Sequence, residues 1–259
     1  MPYCRKGTAK YMGNCKVLVV SIQKGGSGKT ATAAALVQAA AYKGKKVLAI
    51  DLDPQANLTY CLAADSDKAG SYELLHGTAS ASTIQTTAQG IDVIAANAAL
   101  QTEKSAAGSA RRLQKALEPI GNKYDLCIID TPATAGELQY NALQAADRLL
   151  IPLEADAYNL QSLQQITEAA GQIQGSNPNL KIAGIILTMY DRRPVINRQL
   201  RQMLIDAAEA QGIAFLGEIR KAVAVQEVAA LQQSLFEYDP KCKPAADYIA
   251  IFDKLEQEG

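Results

Sequence analysis

The residues best suited to chemistry lie together near the start of the chain. Lys24-Gly25-Gly26-Ser27-Gly28-Lys29-Thr30 places three glycines, two lysines and two hydroxyls in seven consecutive positions. Glycines let backbone N–H groups turn inward toward an anion, a lysine carries charge to phosphate oxygens, and a following threonine hydroxyl can ligate Mg²⁺. The pattern therefore predicts a phosphate-binding loop spanning Lys24, Gly25, Gly26, Ser27, Gly28, Lys29 and Thr30, with Ala31 opening the helix behind it. Gln23 stands where such a loop usually begins with glycine, and a second lysine, Lys24, follows it. At ordinary glycine usage this combination arises by chance in a chain of this length less often than about once in a thousand.

Such a loop works only between a strand that anchors it and a helix whose N-terminus faces the anion. The apolar run Val17 to Ile22 precedes it and an alanine-rich stretch follows. Apolar runs alternate with helical periodicity along the rest of the chain, with strands expected near 16–21, 46–51, 91–95, 125–130, 148–152, 181–187 and 213–216. Helices are expected near 29–43, 108–119, 136–146, 159–174, 195–211, 222–232 and 243–257. This alternation predicts an α/β fold, a mainly parallel twisted sheet covered by helices on both faces. No repeat or Pro/Gly/Ser linker divides it, so residues 15–259 are read as one domain and 1–14, which lack an apolar period, as a flexible tail.

The same elements place carboxylates beside the loop. Asp130 ends the apolar run Leu126 to Ile129, where it can hold Mg²⁺ through water. Asp53 lies just past the neighbouring strand in a Pro-containing turn, where it can orient an attacking water. Asp51 has two readings, a place behind the Mg²⁺ ligands or a cap on its strand. No Ser, Cys or His nucleophile is required, because phosphoryl transfer is mainly positioning and charge neutralisation. His76 reads as the end of a short helix.

Composition narrows the classes. The 259 residues are 48% hydrophobic and 20% charged, with 26 basic and 26 acidic side chains, so nucleic acid would have to meet a local patch. No apolar run approaches the 18 or so residues of a membrane span, and nothing near Met1 resembles a secretory signal. Five scattered cysteines suggest neither a disulfide framework nor a zinc site, and a cytoplasmic location is expected.

The chain resembles the ParA/MinD group, the deviant-Walker-A P-loop ATPases, over about residues 16–255. Besides the lysine-rich loop, the resemblance rests on Asp51-Leu52-Asp53-Pro54-Gln55-Ala56-Asn57, Cys127-Ile128-Ile129-Asp130-Thr131-Pro132, Leu187-Thr188-Met189-Tyr190-Asp191 and Tyr238-Asp239-Pro240. Their order is similar to that of partition ATPases of the ParA/Soj type. The resemblance implies ATP and Mg²⁺ as cofactors. It implies Lys24, Lys29 and Asp53 as catalytic residues and Thr30, Asp53 and Asp130 around the metal, with Lys24 reaching the ATP of the partner subunit in a homodimer. It also implies non-specific double-stranded DNA and a ParB-type centromere-binding protein as partners, and a place on the nucleoid.

For DNA, the resemblance points to Arg193, Lys221 and Arg220, among basic neighbours Arg192, Arg198 and Arg201. Members of the family often have a second arginine where this chain has Ala224, and Asp206, Glu209 and Glu218 intervene, so a solvated mixed-charge face is the competing reading. A MinD-like membrane regulator is the alternative function, disfavoured by the acidic ending Asp253-Lys254-Leu255-Glu256-Gln257-Glu258. Metal-handling ATPases of this fold would need paired cysteines, and a sequence-specific repressor would need a helix-turn-helix ahead of the loop. Neither pattern is visible.

Overall fold

The computed structural model describes residues 15–103 and 111–257. Eight strands form one sheet: β1 (Lys16–Val20), β2 (Val47–Asp51), β3 (Gln85–Thr86), β4 (Asp92–Ile94), β5 (Leu126–Asp130), β6 (Arg148–Leu153), β7 (Lys181–Tyr190) and β8 (Phe215–Arg220). Their order is β3-β4-β2-β5-β1-β6-β7-β8, parallel throughout except for the edge pair β3 and β4. The α/β architecture expected from the alternation is thus the one observed.

Side chains of the central strands alternate between two cores. Val17 and Val19 of β1 join Leu48, Ile50, Cys127 and Ile129 on one face, while Leu18 and Val20 join Ala49, Leu126 and Ile128 on the other. With both faces covered, these strands read as continuous apolar runs, the mark of a buried parallel sheet. The first face is covered by α3 (Ser71–Leu75), α4 (Arg112–Leu117), α5 (Glu137–Ala145), α6 (Asn159–Gln174) and α7 (Val195–Glu209). The second is covered by α1 (Lys29–Tyr42), α2 (Asn57–Cys61), α8 (Ala224–Leu231), α9 (Leu235–Tyr238) and α10 (Lys243–Gln257).

Register aligns the carboxyl ends of the three strands that matter most. Val20 pairs with Asp130, and Asp130 with Asp51, so the loop after β1 and both carboxylates emerge side by side. In parallel sheets ligands gather at this edge.

Several boundaries differ from the sequence reading. β7 runs on to Tyr190, past a register irregularity after Leu187 at which Met189 takes φ 51°. β8 starts later than expected and reaches Arg220, so Arg220 belongs to the strand rather than to the loop beyond it. The short elements α2, β3 and α9 carry too few residues to show a period, and the helix expected over 108–119 is described only from Arg112. The tail assigned to residues 1–14 lies outside the described residues.

Candidate phosphate-binding site

The loop between β1 and α1 is shaped by glycines that no other residue would replace cheaply. Gly26 and Gly28 take φ of 76° and 75°, and a Cβ on Gly28 would lie 3.2 Å from Thr188 Cβ. Gly28 also caps α1 without any side-chain hydrogen bond, and its carbonyl already takes the N–H of Thr32 at 2.9 Å. The preceding N–H groups of Lys29, Thr30 and Ala31 thus begin a 14-residue helix with no side chain covering them, an anion-binding geometry. From the far side Thr188 Oγ1 clamps the loop, 2.9 Å from the Ser27 carbonyl and 3.1 Å from that of Leu153.

The two lysines point to different places. Lys29 is buried, and its Nζ donates to the Lys24 carbonyl at 2.6 Å, folded over the cradle. Burial lowers its pKa against the opposing pull of Asp130 and Asp53. Lys24 instead sends its ammonium out of the cradle to Asp156 Oδ2, 2.6 Å away. Gln23, in the place of the usual glycine, donates through Nε2 to Gln139 Oε1 at 3.0 Å, and Gln139 in turn reaches Ser21 Oγ at 2.9 Å.

Thr30 Oγ1 donates to Asp130 Oδ2 at 2.7 Å, bringing together the two residues expected around a metal. The other oxygen, Asp130 Oδ1, is buried without a hydrogen-bond partner. An orphaned carboxylate oxygen beside a hydroxyl and an open helix N-terminus fits a hydrated Mg²⁺ brought in by phosphates, which needs only one or two protein ligands. Consistent with that, no cluster of three or more His, Cys, Asp or Glu among the described residues forms a ready-made cage.

Asp51 is the interior neighbour. Both its oxygens are engaged, Oδ1 by the Asp53 N–H at 3.0 Å and Oδ2 by the N–H and hydroxyl of Thr59 at 2.8 Å each. Of its two readings the geometry supports an anchor, one that fixes the turn bearing Asp53 and the start of α2. Asp53 itself is half-buried, and its Oδ1 accepts only the local Gln55 N–H at 3.0 Å.

Burial, opposed by the Thr59 donors, pushes Asp51 up to about 6. Burial and the Asp51 charge together raise Asp130 well above the ordinary carboxylate range. Because the folded values exceed the unfolded ones, the native state binds more protons than the unfolded chain between them, and stability falls as pH rises through that window. Nucleotide-free protein is therefore expected to melt at higher temperature at pH 5.5 than at pH 7, and Asp130→Asn to reduce the difference. A melting temperature that falls steadily on mild acidification contradicts the assignment.

An apolar cavity of about 340 Å³ adjoins the loop, lined among others by Gly28, Thr188, Met189, Ile219, Val223 and Tyr248. Along the carboxyl edge of the sheet the metal corner at β5, the phosphate cradle after β1 and the apolar pocket beside β7 and β8 follow one another.

Residues 15–182 match the family model described as an AAA domain. The chromosome partitioning protein ParA of Caulobacter vibrioides is 34% identical over 247 residues, 91% of this chain and 92% of that protein. The chain belongs to the ParA/Soj family. Within that family the sporulation initiation inhibitor protein Soj of Bacillus subtilis is 32% identical, covering 94% of this chain and 99% of its own. Among solved structures, cobyrinic acid a,c-diamide synthase from Mycobacterium smegmatis with bound ADP and magnesium superposes with a TM-score of 0.81 at 30% identity, covering 94% and 95% of the two chains. A plasmid partition protein from Borrelia burgdorferi shares the fold at a TM-score of 0.75 and 23% identity, covering 95% and 100%.

The basic residues singled out for DNA surround a polar groove lined by Tyr190, Arg193, Glu218, Arg220, Lys221 and Lys243 among others. Most are already engaged. Arg193 chelates Asp191, with Nη2 to Oδ2 at 2.6 Å, and holds that carboxyl down at about 2. Arg220 grips Asp247 through Nε at 2.9 Å and Nη2 at 2.5 Å. Arg201 pairs with Glu218 at 2.9 Å and lies over the Phe215 ring, and Arg198 donates to the carbonyls of Arg192 and Arg193. Among the described residues Arg192 and Lys221 make no ion pair, and Lys221 also borders the apolar pocket beside the loop.

Sequence reasoning had no role for Thr188, Asp156 or Thr59. Thr188 fell inside a quoted segment, but its grip on a loop 161 residues away leaves no local trace.

Proposed function

We propose that this protein is an ATPase that partitions DNA, dimerising around ATP and Mg²⁺ and holding nucleoid DNA without sequence preference in that state. The observation that carries the reading is the divergence of the two loop lysines: Lys29 covers its own cradle while Lys24 projects its charge outward, where a second subunit's phosphates would meet it. ATP would place its phosphates on Gly25 to Ala31 and its base in the apolar pocket at Met189 and Tyr248. Mg²⁺, when bound, supplies charge neutralisation at the phosphates, and Thr30 and Asp130 would hold it. Asp53 would orient the attacking water, and Lys24 would neutralise charge developing on the partner's transferred phosphate. A ParB-type protein is the proposed stimulator, beside relatives whose names place them in chromosome partitioning.

A membrane-bound regulator is the less supported alternative. The last helix, α10, packs Tyr248, Ile251, Phe252 and Leu255 into the core, so its apolar face is not available to lipid. No helix among the described residues is long and apolar enough to cross a membrane.

DNA binding in the ATP state tests the reading directly. Each phosphate contact contributes about −0.9 to the slope of log affinity against log salt, and a dimer joins two patches through effective concentration. Arg193→Glu with Lys221→Glu is expected to weaken binding to every duplex alike and flatten the slope by about 2 to 4, compared at saturating ATP because Lys221 also borders the pocket proposed for the base. Wild-type DNA affinity in the double variant, measured with ATP at moderate salt, would show the groove to be only a solvated mixed-charge face.

A further inference from the structure

Strand β7 carries one residue more than its neighbour near its carboxyl end. Leu187 lies opposite Glu218 and Tyr190 opposite Arg220, so three steps along β7 answer two along β8. The extra residue makes a β-bulge at Thr188 and Met189, and bulges re-aim side chains. Its effect shows in the packing. Ile185 and Leu187 share one core and Ile186 joins the other, yet Tyr190, which strict alternation would send to the face of Ile186, lies with Leu187. Thr188 and Met189 both line the apolar cavity beside the phosphate loop, as Gly28 does. Pairing resumes just past the bulge, where the Lys221 N–H donates to the Tyr190 carbonyl at 3.1 Å.

The two residues of the bulge have different surroundings. Thr188 is 3% exposed, and its single hydroxyl proton faces two carbonyls, that of Ser27 in the phosphate loop at 2.9 Å and that of Leu153 at the end of β6 at 3.1 Å. Met189 is 41% exposed at φ 51°, a left-handed conformation that costs free energy in any residue bearing a Cβ. Strain of this kind persists only where its surroundings over-determine it, and it gathers at ligand clamps.

We propose that this bulge is the joint through which the base pocket sets the phosphate loop, with Thr188 as its positioning residue. The proposal rests on the ATP site described above and adds a coupling between the two halves of that site. A base covering Met189 would favour its left-handed conformation. That conformation fixes Thr188 one residue back, and Thr188 holds Ser27 and Gly28 in the shape that presents N–H groups to phosphate. Coupling between two sites is reciprocal, so phosphate on the loop favours the base pocket to the same degree. A nucleotide whose base seats poorly then loses phosphate affinity as well as base contacts, and Thr188 thereby sharpens the choice among nucleotides.

The two halves can be titrated separately by calorimetry, with adenosine and with tripolyphosphate plus Mg²⁺. In the wild-type protein, saturating tripolyphosphate is expected to tighten adenosine binding by about 5- to 10-fold. Thr188→Val, of the same shape but without the proton, should bring that factor close to one, and Thr188→Ser should keep most of it. A hydroxyl that served only the fold would lower the melting temperature or weaken tripolyphosphate binding and leave the factor unchanged. Met189→Gly adopts the left-handed conformation freely, so it is expected to bind tripolyphosphate no more weakly than wild type while adenosine no longer responds to it. If tripolyphosphate does not tighten adenosine binding in the wild-type protein, or still does so in Thr188→Val or Met189→Gly, the joint is overturned and the phosphate site stands. A wild-type protein that binds neither tripolyphosphate nor ATP refutes the site itself, and the joint falls with it.

Discussion

Replacing Lys29 by Ala is expected to weaken ATP binding by about 100-fold. A charge-assisted hydrogen bond contributes about 1.5–3 kcal/mol, and each 1.4 kcal/mol is a factor of ten. Lys29 stands at the favourable end of that range because its ammonium is already buried and already aimed over the loop, at 2.6 Å from the Lys24 carbonyl. Little side-chain entropy is left for the nucleotide to remove. The lowered pKa shows that the empty site holds this charge at a cost, and phosphate would relieve it. The Ala variant is accordingly expected to keep its fold and its melting temperature while losing affinity. Calorimetric titration with ATP and Mg²⁺ decides the matter, and an affinity equal to wild type would remove Lys29 from the site.

The second large effect is on turnover. Asp53→Ala is expected to bind ATP normally, to hydrolyse it about 100-fold or more slowly, and to accumulate as the ATP-bound dimer. Positioned carboxylates acting on a nucleophile commonly contribute 10²–10⁴ in rate. Asp53 is placed for such work by its neighbours: Asp51 holds its N–H, its own oxygen tightens the turn at Gln55, and the rest of the carboxylate is not otherwise bound by a side chain. Among the described residues it makes no hydrogen bond or ion pair to the phosphate loop and acts on Lys29 only through its charge, so its loss should leave nucleotide affinity largely alone. Size exclusion with ATP separates the outcomes, because a variant that stays monomeric, or one that turns over at the wild-type rate, contradicts the role.

The cradle was legible in the sequence because its demands are local. Gly26 and Gly28 need positive φ, Lys29 and Thr30 need fixed offsets from them, and all fall within one short segment. Asp130 was legible for a related reason: an apolar run ending in a carboxylate marks a strand end, and register then sets it beside the loop. Asp51 could not be resolved from sequence, since its partner Thr59 is the third residue of a five-residue helix too short to announce itself. The basic residues show the limit most clearly. Arg193, Arg201 and Arg220 look like a patch in the sequence, yet Asp191, Glu218 and Asp247 meet them in space, and Asp247 comes from a helix 27 residues further on. Charge counting along a chain does not reveal such pairings, whereas glycine geometry within one turn does.

The strand order has a consequence for how the chain must be made. β1, the first of the described strands in chain order, lies between β5 and β6, with Lys16 opposite Leu126 and Leu18 opposite Arg148. Until residues near 130 have left the ribosome this apolar strand has neither neighbour, and until residues near 150 it has only one, so the glycine loop that follows it is not held between two strands. At about 5–20 residues per second that interval lasts many seconds. Over that time the nascent chain exposes an unpaired β-edge and the start of an alanine-rich helix, a surface for which chaperones and misassembly compete. The binding loop is translated well before β5 and β6 yet needs both to take its working shape, so a ribosome that stalls before β6 releases a fragment that carries the complete motif and cannot hold a nucleotide.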